Sequence, residues 1–198
     1  MNMQKLKPPH SQRGFTLLEV LMVVVIIGII SSIALPNYRT FIVSNRSTTN
    51  AALLHGAITH AKTLAGISGA VTMCKSDNPD APVPICSSLA SNGASNTGWG
   101  SGWILFQDKN ANGQYDAGDT LIKVQPALFR SVTEGSIVPQ PNTQSITLGG
   151  IGGTVITGTA MYFYVKPPDD YVNATYNRYV CVSSVRKVSV VKTLPCPT

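Results

Sequence analysis

Apolar positions fall into three regimes along the 198 residues. From Phe15 to Leu35 the chain is apolar apart from Thr16, Glu19, Ser31 and Ser32, and roughly 20 such residues in a helix cross a bilayer core. After Pro36 the pattern changes to one stripe: Leu54, Ala57, Ile58, Ala61, Leu64 and Ala65 recur at three- and four-residue spacing, the signature of an amphipathic helix. Pro36 is followed by Asn37, Tyr38, Arg39 and Thr40 with no further breaker, so the spacing predicts one kinked, continuing helix from about Phe15 to Leu64, stopped at Gly66 or Gly69. Beyond that, short apolar segments replace the helical period. Strands are predicted at 71–74, 102–106, 120–124, 136–138, 144–148, 159–166, 178–183 and 186–192. Short strands with no helical period among them argue for an antiparallel sheet or a pair of sheets. The expected class is α+β: a long kinked helix, its first half (15–36) transmembrane and its second (37–66) amphipathic, packed against a β-rich head at 67–198.

The segments between strands are turn-rich. Residues 77–84 form a proline-rich surface loop, and the Ser/Asn/Gly run from Ser87 to Gly100 reads as a mobile loop within the domain. Trp99 and Trp103, beside glycines, are expected to fill the core. Charged residues make up 12% of the chain, with Gly and Pro frequent, a composition that suits an exported β module better than a helical enzyme. The four cysteines at 74, 86, 181 and 196 read as a disulfide framework in an exported domain. Of three connectivities, Cys74 with Cys86 and Cys181 with Cys196 close the shortest loops. A zinc site competes, but the spacings lack a C-x-x-C pair.

Glu19 is the anomaly of the apolar run. An acidic side chain at mid-span costs about 2.5 to 3.5 kcal/mol, less near an end, and such a residue asks for a partner. A secretory signal cleaved after Ser32-Ile33-Ala34 would carry this carboxylate inside its apolar core, and the run exceeds the usual length of such cores. A plain single-span anchor leaves Glu19 without a role. A buried helix of a soluble domain lacks a downstream region large enough to enclose it.

Gly14-Phe15-Thr16-Leu17-Leu18-Glu19, behind a short basic leader and ahead of an apolar helix with Pro36, resembles the class III signal of type IV pilins and pseudopilins. The resemblance implies a leader at 1–14, cleavage after Gly14 by prepilin peptidase and methylation of Phe15. It also implies that Glu19, the fifth mature residue, meets the amine of Phe15 on a neighbouring subunit during assembly. Loss of Lys5, Lys7 and Arg13 with the leader leaves twelve basic and nine acidic residues, a net +3. The resemblance, with three leader charges set against Arg39 and Arg46, implies a cytoplasmic N-terminus. The expected location is therefore the inner membrane of a Gram-negative bacterium, single-pass with a periplasmic head, and later the pilus surface.

The run Gly-Trp-Ile-Leu-Phe-x-Asp-x-Asn-x-Asn-Gly-x-x-Asp-x-Gly-Asp from Gly102 to Asp119 narrows the likeness to the GspH/FimT family, which includes the minor pilins FimT and FimU and the type II secretion pseudopilin H. The implied function is a minor type IV pilin, incorporated into the pilus in a priming or tip complex that serves twitching motility and adhesion. The alternatives are a DNA-binding minor pilin for natural transformation and pseudopilin H. Implied partners are other pilins, prepilin peptidase, the inner membrane and, in the second case, DNA.

Two further constellations carry chemistry. Asp108, Asn110, Asn112, Asp116 and Asp119 fall at positions one, three, five, nine and twelve of a calcium-loop pattern, with Gly113 at the sharp turn. Position twelve is Asp where a bidentate Glu is usual, and the flanks read as strands. The other reading is a hairpin loop in which Asn and Asp bind their own backbone and Gly113 takes positive φ. After Asp170 there is no acidic residue, while Arg178, Arg186, Lys187 and Lys192 follow, a basic stretch suited to phosphates. The Gly-Arg-x-Arg motif that the resemblance associates with DNA uptake is absent, and a solvated edge strand is the competing reading. No cofactor or enzyme activity is expected: His10, His55 and His60 share no face, and no nucleophile sits in a recognisable elbow.

Overall fold

The computed structural model describes residues 14–88, 96–149, 154–155, 160–171, 175–183 and 187–197. It divides into two compact units, one up to Thr40 and one from Phe41 onward. A single helix, α1 (Leu17–Ser68), supplies residues to both. Thr16 starts it: its carbonyl and its Oγ1 both accept the Glu19 N–H, at 3.1 and 3.2 Å, which satisfies one of the orphan donors of a helix N-terminus. Pro36, expected to bend the helix, lies inside its continuous span. Gly69 ends it at φ 89°, a left-handed conformation that glycine adopts without a Cβ penalty; Gly66 stays helical.

In the first unit, every helical side chain described from Leu17 to Ile33 is exposed, Leu17 and Leu18 at 83% and 68%. In the second unit the predicted stripe is buried. Ala51, Leu54, Ala57, Ile58, Ala61 and Ala65 enter the main core, with Leu64 packed against it.

The head contains nine strands among the described residues: β1 (Val71–Lys75), β2 (Trp103–Gln107), β3 (Thr120–Gln125), β4 (Ser136–Gln140), β5 (Ser145–Gly149), β6 (Thr154–Val155), β7 (Met161–Lys166), β8 (Arg178–Val182) and β9 (Val188–Val191). They form two antiparallel sheets, one of order β3-β2-β1-β5-β6 and one of order β4-β7-β8-β9. Each predicted strand has a counterpart within one or two residues; β6 was not anticipated.

The α1 stripe packs against side chains of both sheets: Val71, Met73, Leu105, Ile146 and Leu148 from the first, Ile137, Phe163, Val165, Val180 and Val182 from the second. The first sheet is also covered on its other face, where Cys74, Ile104 and Phe106 meet Cys86, Tyr115, Leu121 and Val124. Burial on both faces explains why every residue of β1 is buried. β7, open on one face, alternates buried and half-buried positions.

One region differs from expectation. The end of the Ser87–Gly100 stretch is core: Thr97 and Trp99 are fully buried, Trp99–Ser101 forms a 3-10 turn, and the Trp99 indole N–H donates to the Thr143 carbonyl at 3.0 Å. A mobile loop was predicted because Ser, Asn and Gly dominate there; one tryptophan, edge-on to Phe163 at 5.2 Å, outweighs them. The part of that prediction at 89–95 lies outside the described residues. Lys75, a cation at the end of an apolar strand, is 0% exposed and reaches Asp77 at 3.4 Å.

Candidate functional site

The N-terminal site is built by contrast. Gly14 and Phe15 precede the helix and are exposed, Phe15 at 82%, so the peptide bond after Gly14 is sterically open. Glu19 sits in the first turn, where a negative charge is favoured by the helix dipole. It is the only charged side chain between Phe15 and Tyr38, on a helix long and apolar enough to cross a membrane. An exposed apolar surface of this length is soluble only in lipid or against other apolar helices.

The Asp108–Asp119 loop follows β2 and leads into β3. Its carboxylates are turned onto donors of the chain itself. Asp108, 1% exposed, accepts from the Gly113 N–H at 2.9 Å and the Asn112 N–H at 3.2 Å, and from Thr72 Oγ1 at 2.7 Å; Thr72 in turn lies 2.8 Å from Thr147 Oγ1. Asp116 accepts from the side-chain amides of Asn110 and Asn112 at 3.1 and 3.0 Å. The Asn110 amide is the largest cause that holds the Asp116 carboxyl below its ordinary value near 3.8, followed by the Gly118 N–H and then the Asn112 amide. Asp119 accepts from the Lys109 and Asp116 N–H groups at 3.0 and 3.1 Å. Gly113 takes φ 78° as expected.

In this conformation the loop's carboxylate oxygens accept from N–H and O–H groups of the chain itself. Among the described residues no group of three or more His, Cys, Asp or Glu is placed to hold a metal ion. The arrangement is that of a self-bonded hairpin loop, anchored on β1 and β5 through Thr72 and Thr147. Those two threonines were not singled out from the sequence. The available signal was an isolated Thr at an alternating position within each apolar strand.

Cys74–Cys86 and Cys181–Cys196 are bonded, the pairing with the shortest loops. The first bond joins β1 to the proline-rich loop beneath Tyr115, whose N–H donates to Cys86 Sγ at 3.3 Å. A hollow of about 240 Å³ lies against this loop, lined by Asp77, Asn78, Ile85, Cys86, Ser87 and Ser88.

Of the four basic residues, three are described. Arg178 is 6% exposed and its guanidinium donates to the carbonyls of Thr175 and Asn177, each at 2.8 Å; it serves the β8 entry and is withdrawn as a surface phosphate contact. Its parity with Val180 explains this, since that face of β8 points into the core. Lys187 and Lys192 are exposed. Arg186 lies outside the described residues.

An exposed apolar helix with one acidic side chain near its start, continued into an amphipathic half that packs on an antiparallel β head, defines a pilin-like subunit. The chain belongs to the GspH family of type IV pilin-like proteins: the family described as "Type II transport protein GspH" matches residues 50–185. The "Prokaryotic N-terminal methylation motif" matches residues 9–35. Among curated proteins, Fimbrial protein Q and the Type IV major alpha-pilin, both of Moraxella bovis, are each 46% identical over 39 residues, 20% of this chain. The chain spans about a quarter of the length of these relatives, 25% and 24%. The fold is similar to crystal structures of the type IV minor pilin FimU of Pseudomonas aeruginosa. One match has TM-score 0.53 at 14% identity, covering 74% of this chain and 89% of that one. The other has TM-score 0.50 at 13% identity, covering 73% and 91%.

Proposed function

We propose that this protein is a minor pilin, anchored by α1 in the inner membrane with its head in the periplasm, cleaved after Gly14, methylated at Phe15, and incorporated through the same helix into a type IV pilus. The observation that carries this reading is the fully exposed apolar surface from Leu17 to Ile33, interrupted by the single carboxylate of Glu19. Such a surface is stable in lipid and equally stable against like helices, so a subunit can pass from one to the other. Within either apolar phase Glu19 is costly alone; pairing with the new Phe15 amine of a neighbour cancels two charges at once. The family is one of structural subunits, and the head contributes packing and surface chemistry.

Two measurements test this. Mass spectrometry of the mature chain should find a methylated Phe15 at the N-terminus, and a chain beginning at Leu35 would refute the cleavage. Glu19→Ala should leave cleavage intact while reducing recovery of the subunit in sheared pili by about tenfold or more, as expected for loss of one desolvated charge pair. Wild-type recovery of the variant would remove the role given to Glu19.

Pseudopilin H of a type II secretion system shares this architecture and the family description. Deletion separates the two: loss of surface pili supports the minor pilin, and loss of secreted enzymes with pili intact supports the pseudopilin. The DNA-binding alternative rests on Arg186, Lys187 and Lys192 without Arg178, a weaker phosphate site than four cations would make.

A further inference from the structure

The two sheets present four edges, and three are blunted. β4 pairs with β7 so that Ile137 and Pro139 face away from it; the Ile137 N–H donates to the Thr97 carbonyl at 2.9 Å, and Pro139 has no N–H to offer. β3 carries a register shift opposite Leu105 and Phe106 and an exposed Lys123 in mid-strand. β6 has two residues among those described. Short length, bulges, proline and mid-strand charge are the usual devices against strand addition.

β9, at four residues, has no bulge, proline or mid-strand charge. Its register with β8 is regular from Val188 to Val191. The Ser183 N–H donates to the Lys187 carbonyl at 3.0 Å, which fixes the alternation: Ser189 and Val191 point their backbone groups at β8, while Val188 and Val190 point theirs outward. The Val188 carbonyl lies 3.3 Å from His55 Nε2. No hydrogen bond among the described residues takes the Val188 N–H or the Val190 N–H and carbonyl. The Val190 side chain is 41% exposed. The Cys181–Cys196 bond, with Cα atoms 5.8 Å apart, carries the tail back toward β8, so it does not continue along the edge.

Charge specifies what fits there. Lys187 and Lys192 flank the open edge, both exposed, with no ion pair among the described residues, and the chain contains no acidic residue after Asp170. We propose that β9 is a docking edge for an extended polypeptide segment of another protein, which adds to the second sheet as a further strand and carries carboxylates at its ends facing Lys187 and Lys192. Backbone pairing at the Val188 N–H and at the Val190 N–H and carbonyl supplies the geometry, and the two lysines select an acidic strand.

The test uses the full chain in detergent micelles and a short fluorescent peptide of alternating valine and threonine with glutamate at both ends. Expected outcomes are saturable binding, slowed hydrogen exchange of the Val190 amide on saturation, and weaker binding of the same peptide with lysine ends. Val190→Pro removes an outward N–H and no bond to β8, so edge proline is tolerated by the sheet; it should lower affinity about tenfold or more with the melting curve unchanged. Lys187→Glu/Lys192→Glu should reverse the preference between the two peptides. Wild-type affinity in Val190→Pro, or unchanged Val190 exchange in the saturated wild type, overturns the proposal, and the exchange measurement decides if that variant fails to fold. Full displacement of the peptide by inorganic polyphosphate without any change at Val190 would likewise overturn it, leaving a basic patch that reads charge alone.

Discussion

Replacing Asp108 separates the self-bonded loop from a metal site. In Asp108→Ala three donors lose their acceptor: the buried Gly113 N–H, the Asn112 N–H and the Thr72 hydroxyl. They do not lose equally. Thr72 keeps Thr147 at 2.8 Å and Asn112 keeps Asn110 Oδ1 at 3.2 Å, whereas the Gly113 N–H is left buried with nothing. An orphaned buried donor costs about 1–3 kcal/mol and a hydrogen bond to a charged acceptor about 1.5–3 kcal/mol, so the variant should lose roughly 2–4 kcal/mol. For a chain of this size that corresponds to a fall of roughly 4–16 °C in melting temperature. The assay is a thermal melt of the full chain in detergent, with denaturant unfolding to give the free energy, each run with calcium and with chelator. The wild type should melt at the same temperature in both. A variant within about 0.5 kcal/mol of wild type, the size of an ordinary surface substitution, would refute the anchoring role. A wild type that loses as much stability in chelator as Asp108→Ala loses would refute the metal-free loop.

Two further outcomes follow from the head. Asp116 titrates below its ordinary value near 3.8 because it accepts the amides of Asn110 and Asn112 and the Gly118 N–H. A group whose folded value is depressed contributes stability that is present above its unfolded value and is lost as pH falls through the folded one, so Asp116→Asn should flatten the loss of stability below about pH 4, read from acid melts. An unchanged acid limb would contradict it. At Gly135, φ is 133° and an added Cβ would lie 2.7 Å from the Lys166 carbonyl and 2.9 Å from Phe129. Both the conformation and the space exclude a side chain, so Gly135→Ala should destabilise by about 1–3 kcal/mol or more; a melt equal to wild type would show that the β4 entry relaxes freely.

Much of the architecture was legible in the chain because its signals are local and periodic. The apolar run with Glu19 is one stretch of sequence, the stripe from Leu54 to Ala65 repeats at helical spacing, and each strand is a short apolar segment bounded by turn residues. The Gly102–Asp119 motif named the family branch for the same reason. What failed was the mobility expected at the end of the Ser87–Gly100 stretch and the surface role expected of Arg178. Trp99 turned a Ser/Asn/Gly stretch into core because Phe163 and the Thr143 carbonyl were waiting for it. Arg178 turned inward although the sequence around it is basic and polar, because parity on β8 fixed the face and two nearby carbonyls took its guanidinium.

The sequence by itself therefore determined the helix, the strands other than β6, and the membrane-length segment. Tertiary structure alone decided which carboxylates face donors and which strand edge stays open among the described residues. A hydrogen bond between Asp108 and Thr72 spans 36 positions, and the outward turn of Val190 depends on its register with β8. Neither has a local signature, because spacing along a chain specifies which way a side chain points on its own element but not what another element places opposite it.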